Sequence, residues 1–352
     1  LDNIMIGQLG TLSMSGVSIS NQLFQVFNVS VFGAMSGAGI FLAQFYGRGN
    51  RDGVHHCFRI KMLLGLLISI LAICIFKILG PSLISLYLND DPTASLTTLN
   101  FGKQYMDVML IGLIPFAITQ VFSSSLRETG NTVLPMKASV IAVIVNFCIN
   151  YILIFGHFGF PKLGVIGAAI GTVVSRIVEM GINIAAGLNN NYLRDAMRLD
   201  KISGDIFKNV VKRGMPLLCN EILWSISIAL ISQCYSTRGL SAVAAINVTT
   251  TVTNFFMIIC YAMGNSISII VGQRLGAGEI EYAKDCDLKM VFMNFMMCLC
   301  IGVALFLCSS FIPQIYNTSI EVKSLATSLL RVSACMLPII SLYYSSYFTM
   351  RA

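Results

Sequence analysis

The chain has 352 residues, of which 56% are hydrophobic and only 11% are charged, and its mean hydropathy is +0.78. Soluble domains carry about 25% charged residues, so a water-soluble fold is excluded. The net charge of +7 does not mark a nucleic-acid binder, because no basic stripe with interleaved aromatic residues is present and Lys and Arg lie mostly between apolar stretches.

Taken in chain order, apolar stretches fall at 1–9, 14–43, 62–80, 103–125, 133–156, 164–187, 214–236, 240–271, 290–312 and 325–349. A stretch of about 20 residues crosses a hydrocarbon layer of about 30 Å. All but the first are therefore read as spans, which predicts an all-α integral membrane protein, a polytopic helical bundle of about ten spans. Leu1 leads straight into the short first stretch, and no cleavable signal peptide is visible. The chain is expected to begin inside a span and to be a piece of a longer protein.

The gaps alternate in charge. Arg48, Arg51, Arg59, Lys61, Arg127, Lys137, Arg194, Arg198, Lys201, Lys208, Lys212, Arg213, Arg274, Lys284, Lys289 and Arg351 fall at one edge. Only Lys77, Lys103, Lys162, Arg238 and Lys323 fall at the other. By the positive-inside rule the richer edge is cytoplasmic. The longest and most basic gap, 188–213, divides the chain into a lobe at 1–187 and a second at 214–352, and it reads as a solvated cytoplasmic linker.

The eleven Cys lie mostly inside spans, where a thiol behaves as a small hydrophobe. No C-x-x-C occurs, and Cys298 and Cys300 point to different helix faces, so neither a disulfide framework nor a metal site is expected. His55, His56 and His157 are placed in loops as solvated side chains.

A repeat is visible inside the chain. The second stretch ends in Gln44-Phe45-Tyr46-Gly47-Arg48-Gly49 and the eighth in Gln273-Arg274-Leu275-Gly276-Ala277-Gly278, a shared Q-x-x-G-x-G at an offset of 229 residues. The two spans are six apart in order, so the halves run in the same direction and form parallel repeats. Pro115 and Pro338 sit at matching places, each about a dozen residues before an Arg. Interrupted helices in matching positions mark where a transporter binds cargo; two packing kinks are the other reading.

An ionised carboxylate in the bilayer centre costs about 2.5–3.5 kcal/mol on insertion scales and needs a partner, water or a bound cation. Asp2, followed by Ile4, Met5 and Ile6, has no basic residue nearby in sequence and reads as a cation site or a polar helix end. Glu221, five residues after Pro216, reads as a second such site, or as an acid complementing a helix N-terminus. Glu179 is expected to pair with Arg176, and Asp107 with Lys103, as neighbours on one helix face. Asn146 and Asn150, one turn apart, either coordinate a hard cation such as sodium or hydrogen-bond between helices.

Several of these residues carry a family resemblance. Asp2-Asn3-Ile4-Met5-Ile6-Gly7 resembles the D-x-x-M-x-G of the first span in the multidrug and toxic compound extrusion (MATE) family, and the two Q-x-x-G-x-G edges resemble its repeated signature. The run from Asn146 to Thr172 is similar to the fifth-to-sixth span of NorM-type members.

The resemblance implies two lobes of six helices, so that most of a first span and all of an eleventh and twelfth are missing here. It implies a central cavity and export of cationic or amphipathic drugs in exchange for sodium or protons, by a monomer in the plasma membrane with no cofactor. Carried over by position, Asp2, Asn146, Asn150 and Thr172 would form the N-lobe coupling site, and Glu221 the C-lobe acid. Many proton-coupled members carry Asp where this chain has Asn150, which favours sodium here, and no acid occurs around Ile340 and Ser341.

Two rivals remain. A lipid-linked saccharide flippase shares the broad architecture and would line its cavity with Arg and Lys, yet only Arg176 and Arg331 lie within spans. An intramembrane enzyme would need a nucleophile with its base, or metal-ligand spacing. Neither pattern is present.

Overall fold

The computed structural model describes residues 5–6, 8–87, 92–197, 203–236, 240–315 and 319–352. Long helices dominate: α1 Thr11–Gly47, α2 Arg51–Ser85, α3 Pro92–Met109, α4 Leu113–Glu128, α5 Val133–Phe155, α6 Val165–Leu188, α7 Gly204–Ser236, α8 Leu240–Gly276, α9 Ile280–Cys308 and α10 Ile320–Thr349. Among the described residues, eight helices are long and apolar enough to cross a membrane. Helices satisfy their own backbone hydrogen bonds, which is the condition for standing in lipid.

The surface confirms which solvent these helices meet. On α2 the side chains of Leu67, Ile70, Leu71 and Ile78 are 55–76% exposed, on a helix whose most apolar window is only 17% buried. Contiguous apolar exposure on this scale would aggregate in water. In lipid it is the solvated face, and the chain is a multi-pass membrane protein.

Helix ends follow local chemistry. Gly156 closes α5 in the left-handed conformation at φ 77°, where a side chain is disfavoured, and its N–H donates to the Ile152 carbonyl. The tight return to α6 places His157 on the Tyr151 ring at 4.5 Å between centroids, so this histidine is stacked as well as exposed. Ser319 caps α10 by accepting from the Val322 N–H at 3.4 Å. His55 and His56 differ from expectation: they belong to the first turns of α2 and are half-buried, because the helix begins at Arg51. Similarly, the stretch expected as a linker to residue 213 is helical from Gly204 onward.

Two compact units are present, one comprising Leu1–Leu42 with Arg51–Glu221 and the other Ala43–Asn50 with Ile222–Ala352. In the first, α5 and α6 form an antiparallel pair, and α2, α3 and α4 complete the bundle around them. In the second, α8, α9 and α10 pack pairwise around Met257, Cys260, Cys298, Leu305, Leu330, Ala334 and Leu337.

Helix pairs approach through small residues. A Cβ added at Gly167 on α6 would lie 2.7 Å from the Leu153 carbonyl oxygen on α5. Lipid tails give helices no hydrophobic reason to associate, so close backbone packing supplies the attraction. Gly167→Leu should therefore lower the stability of the detergent-solubilised protein by about 1–3 kcal/mol through overpacking. The thermal midpoint measures this, and an unchanged midpoint would show that the pair does not rely on contact at that point.

Candidate functional site

The fifth and sixth spans bring together the neutral polar residues singled out in the sequence. Asn146 and Asn150 lie one turn apart on α5, and Thr172 faces them from α6. Asn150 Nδ2 donates to Asn146 Oδ1 at 3.2 Å, and Asn146 Nδ2 donates to Thr172 Oγ1 at 3.4 Å. Asn150 is fully buried. It has room only because its neighbour across the helix pair is Gly171, where an added Cβ would overlap Asn150 Oδ1. Three oxygens of the hard type that suits an alkali cation are thus collected on one helix interface. Asp2 lies outside the described residues, so its place relative to this seam is not described.

Glu221 lies on α7, half-buried, seventeen residues after the helix starts at Gly204. Pro216 is likewise inside α7. The reading of Glu221 as an acid complementing a helix N-terminus is therefore wrong: Asp205 occupies the first turn. Glu221 is a mid-helix carboxylate.

The two prolines sit differently in their helices. A 3-10 turn at Leu110–Gly112 separates α3 from α4, and Pro115 follows it as the third residue of α4, where its missing N–H is tolerated. Pro338 lies inside α10, and its carbonyl accepts from Ser341 Oγ at 2.7 Å. A Cβ on Gly302 of α9 would touch Pro338 Cδ at 3.8 Å. Pro115 thus follows a break between two helices, whereas α10 runs unbroken from Ile320 to Thr349 through Pro338.

Other acids find partners that local spacing did not select. Ser139 Oγ donates to Glu179 Oε1 at 2.6 Å, while Arg176 reaches the Gly112 carbonyl at 3.4 Å and lies over the Phe116 ring. Asp107 accepts from Lys77, 30 residues earlier, at 2.7 Å. Among the described residues, no cluster of three or more His, Cys, Asp and Glu could hold a metal ion.

A buried charge pair was missed in the sequence. Lys61, assigned by its position to the basic edge, is fully buried on α2; its Nζ contacts Glu128 Oε2 at 2.5 Å and Ser124 Oγ at 3.0 Å, both on α4. Gly39 of α1 closes over them, since an added Cβ there would overlap the Glu128 carboxylate. Arg127 beside Glu128 disguised the acid as part of a solvated edge, and the apolar flanks Ile60 and Met62 were the one hint for Lys61. Removing one partner of a buried pair strands the other charge. Lys61→Met should cost about 3–5 kcal/mol of stability, and adding Glu128→Leu should restore most of it. Thermal midpoints of the single and double variants measure this; equal losses in both would show that the pair itself is not what matters.

The repeated motif also becomes a contact. The segment Ala43–Asn50 belongs with the second unit. A Cβ on Gly47 would overlap the Gln273 carbonyl, and a Cβ on Gly276 would overlap the Gln44 carbonyl. The two copies therefore lock reciprocally, each glycine on the other copy's glutamine backbone. Arg48 Nε donates to the Gly276 carbonyl at 3.3 Å, placing a cation at the C-terminus of α8, and Gln44 Nε2 donates to the Ala352 carbonyl at 2.7 Å.

Beside the repeated edge signature and the polar α5–α6 seam stands the MatE family model, which matches residues 1–152 and 216–352. The chain belongs to the MatE family. A probable multidrug resistance protein NorM from Thermotoga maritima is 27% identical over 334 residues, which cover 94% of this chain and 70% of that protein. A multidrug resistance protein MdtK from Pectobacterium atrosepticum is 24% identical, covering 95% and 73%.

The fold is also that of the Vibrio cholerae MATE transporter VcmN, solved as a point mutant, with a TM-score of 0.89 at 18% identity over 99% of this chain and 78% of that one. As a MatE member this chain is a membrane transporter and not an enzyme. Within the family frame, the Gly47 and Gly276 contact joins the two copies of the repeated signature directly. Gly47→Ala and Gly276→Ala should each destabilise the protein by about 1–3 kcal/mol. The double variant should lose less than the sum, because one methyl already parts the two backbones. Thermal midpoints of all three variants decide, and strict additivity would contradict a shared contact.

Proposed function

We propose that this MatE member exports cationic or amphipathic drugs in exchange for sodium or protons, by alternating access. The observation that carries the reading is the buried seam of Asn146, Asn150 and Thr172, together with the multidrug-resistance names of the NorM and MdtK relatives. Carboxamide and hydroxyl oxygens bind a hard cation but take up no proton near neutral pH. At this seam a bound ion is sodium; proton coupling would run through the carboxylates of Asp2 and Glu221. A cation drives transport only if it binds one conformation more tightly than the other.

The test is efflux of a cationic dye by the full-length protein in proteoliposomes, with and without sodium, across a pH range. Efflux should require sodium at fixed pH. Asp2→Asn and Glu221→Gln should each abolish it without lowering membrane abundance. Asn150→Asp, which places a titratable group in the seam, should weaken the sodium requirement and make efflux depend on pH. Efflux unchanged in all three variants would end this reading.

A further inference from the structure

Two cysteines in the second unit are brought together in a way that neither their spacing nor the transport reading uses. Cys260 on α8 and Cys298 on α9 are 0% and 1% exposed, and their sulfurs are 3.0 Å apart. Cys298 Sγ also donates to Asn294 Oδ1 at 3.6 Å, and Asn294 Nδ2 donates to Ser345 Oγ on α10 at 2.8 Å. Asn294 and Ser345 are fully buried. A chain of polar groups thus crosses three helices inside a cluster otherwise made of Met257, Leu305, Leu330, Ala334 and Leu337.

We propose that Cys260 and Cys298 are a redox-sensitive pair that closes to an intramembrane disulfide, tying α8 to α9. A disulfide bond is about 2.05 Å long, so the sulfurs need to approach by only about 1 Å. The oxidant is a small neutral peroxide. One sulfur attacks a peroxide oxygen and breaks the O–O bond, giving a sulfenic acid and one water; the second sulfur then attacks the sulfenic sulfur and releases the hydroxyl as another water. Both thiol hydrogens leave in those waters, the two sulfurs are oxidised and the peroxide is reduced. No charge remains in the apolar cluster, which suits a dry site.

The surroundings set both selectivity and reversibility. Burial keeps large or charged oxidants away, since a buried thiol is inert to reagents that cannot reach it. Closure removes the S–H that Cys298 gives to Asn294 Oδ1, and a buried acceptor that loses its donor carries a desolvation penalty. That penalty favours the dithiol at rest and makes the disulfide readily reducible.

The experiment uses the full-length protein in native membranes treated with hydrogen peroxide, followed by thiol blocking under denaturing conditions, digestion and mass spectrometry. The expected product is a peptide pair joined through Cys260 and Cys298, lighter by two hydrogens, whose link is located by fragment ions and lost after dithiothreitol. Cys298→Ser and Cys260→Ala should each abolish it, and peroxide should then leave each variant's own thermal midpoint unchanged. The parent's midpoint should rise on oxidation. Recovery of both residues as blocked thiols, under conditions that oxidise the exposed Cys74 and Cys148, would overturn the proposal. The readout involves no drug and no coupling ion, so it stands or falls separately from the antiport reading.

Discussion

Close approach of helix backbones is the constraint on which this structure rests. In water a helix pair is held by the burial of apolar surface, but here the solvent is itself apolar and that term vanishes between helices. What is left is dispersion at short range and a few hydrogen bonds, and both require the axes to come near. Gly167 meets the Leu153 backbone, and Gly47 and Gly276 each meet the backbone of the other motif copy. The consequence is that a methyl group in the wrong place acts on helix separation, not merely on local volume.

The same closeness explains where polar groups sit. Asn150 is accommodated because Gly171 leaves space for its carboxamide, and the Lys61 and Glu128 pair because Gly39 does. Neutral and charged groups then have different uses. The Asn146, Asn150 and Thr172 seam offers oxygens that a visiting cation can share. Lys61 and Glu128 neutralise one another, leaving that carboxylate with an internal cation of its own. A pair of this kind is better suited to fixing helix register than to ion exchange, in line with the best-attested role of buried polar contacts.

Much of this was legible from residue patterns. The 229-residue offset between Gln44 and Gln273 marked the repeat, and the one-turn spacing of Asn146 and Asn150 put their side chains on one face. Thr172 entered only by resemblance. The errors have one origin: Asp107 was assigned to Lys103, its neighbour on the helix, and it pairs with Lys77 on another helix. Glu221 was weighed as a helix-end acid because Pro216 looked like a start signal, yet α7 begins twelve residues before that proline, at Gly204.

Hydropathy, charge asymmetry and motif recurrence are sums or patterns along one strand of sequence, and each helix closes its hydrogen bonds within itself. Those properties alone settled the membrane class, the rough placing of the spans and the repeated signature. Which faces meet depends on the rotation and depth of two separate helices, quantities that no single helix encodes. Lys61 with Glu128, Cys260 with Cys298 and Gly47 with Gln273 are joined across 67, 38 and 226 residues, and only the packed structure could bring them together.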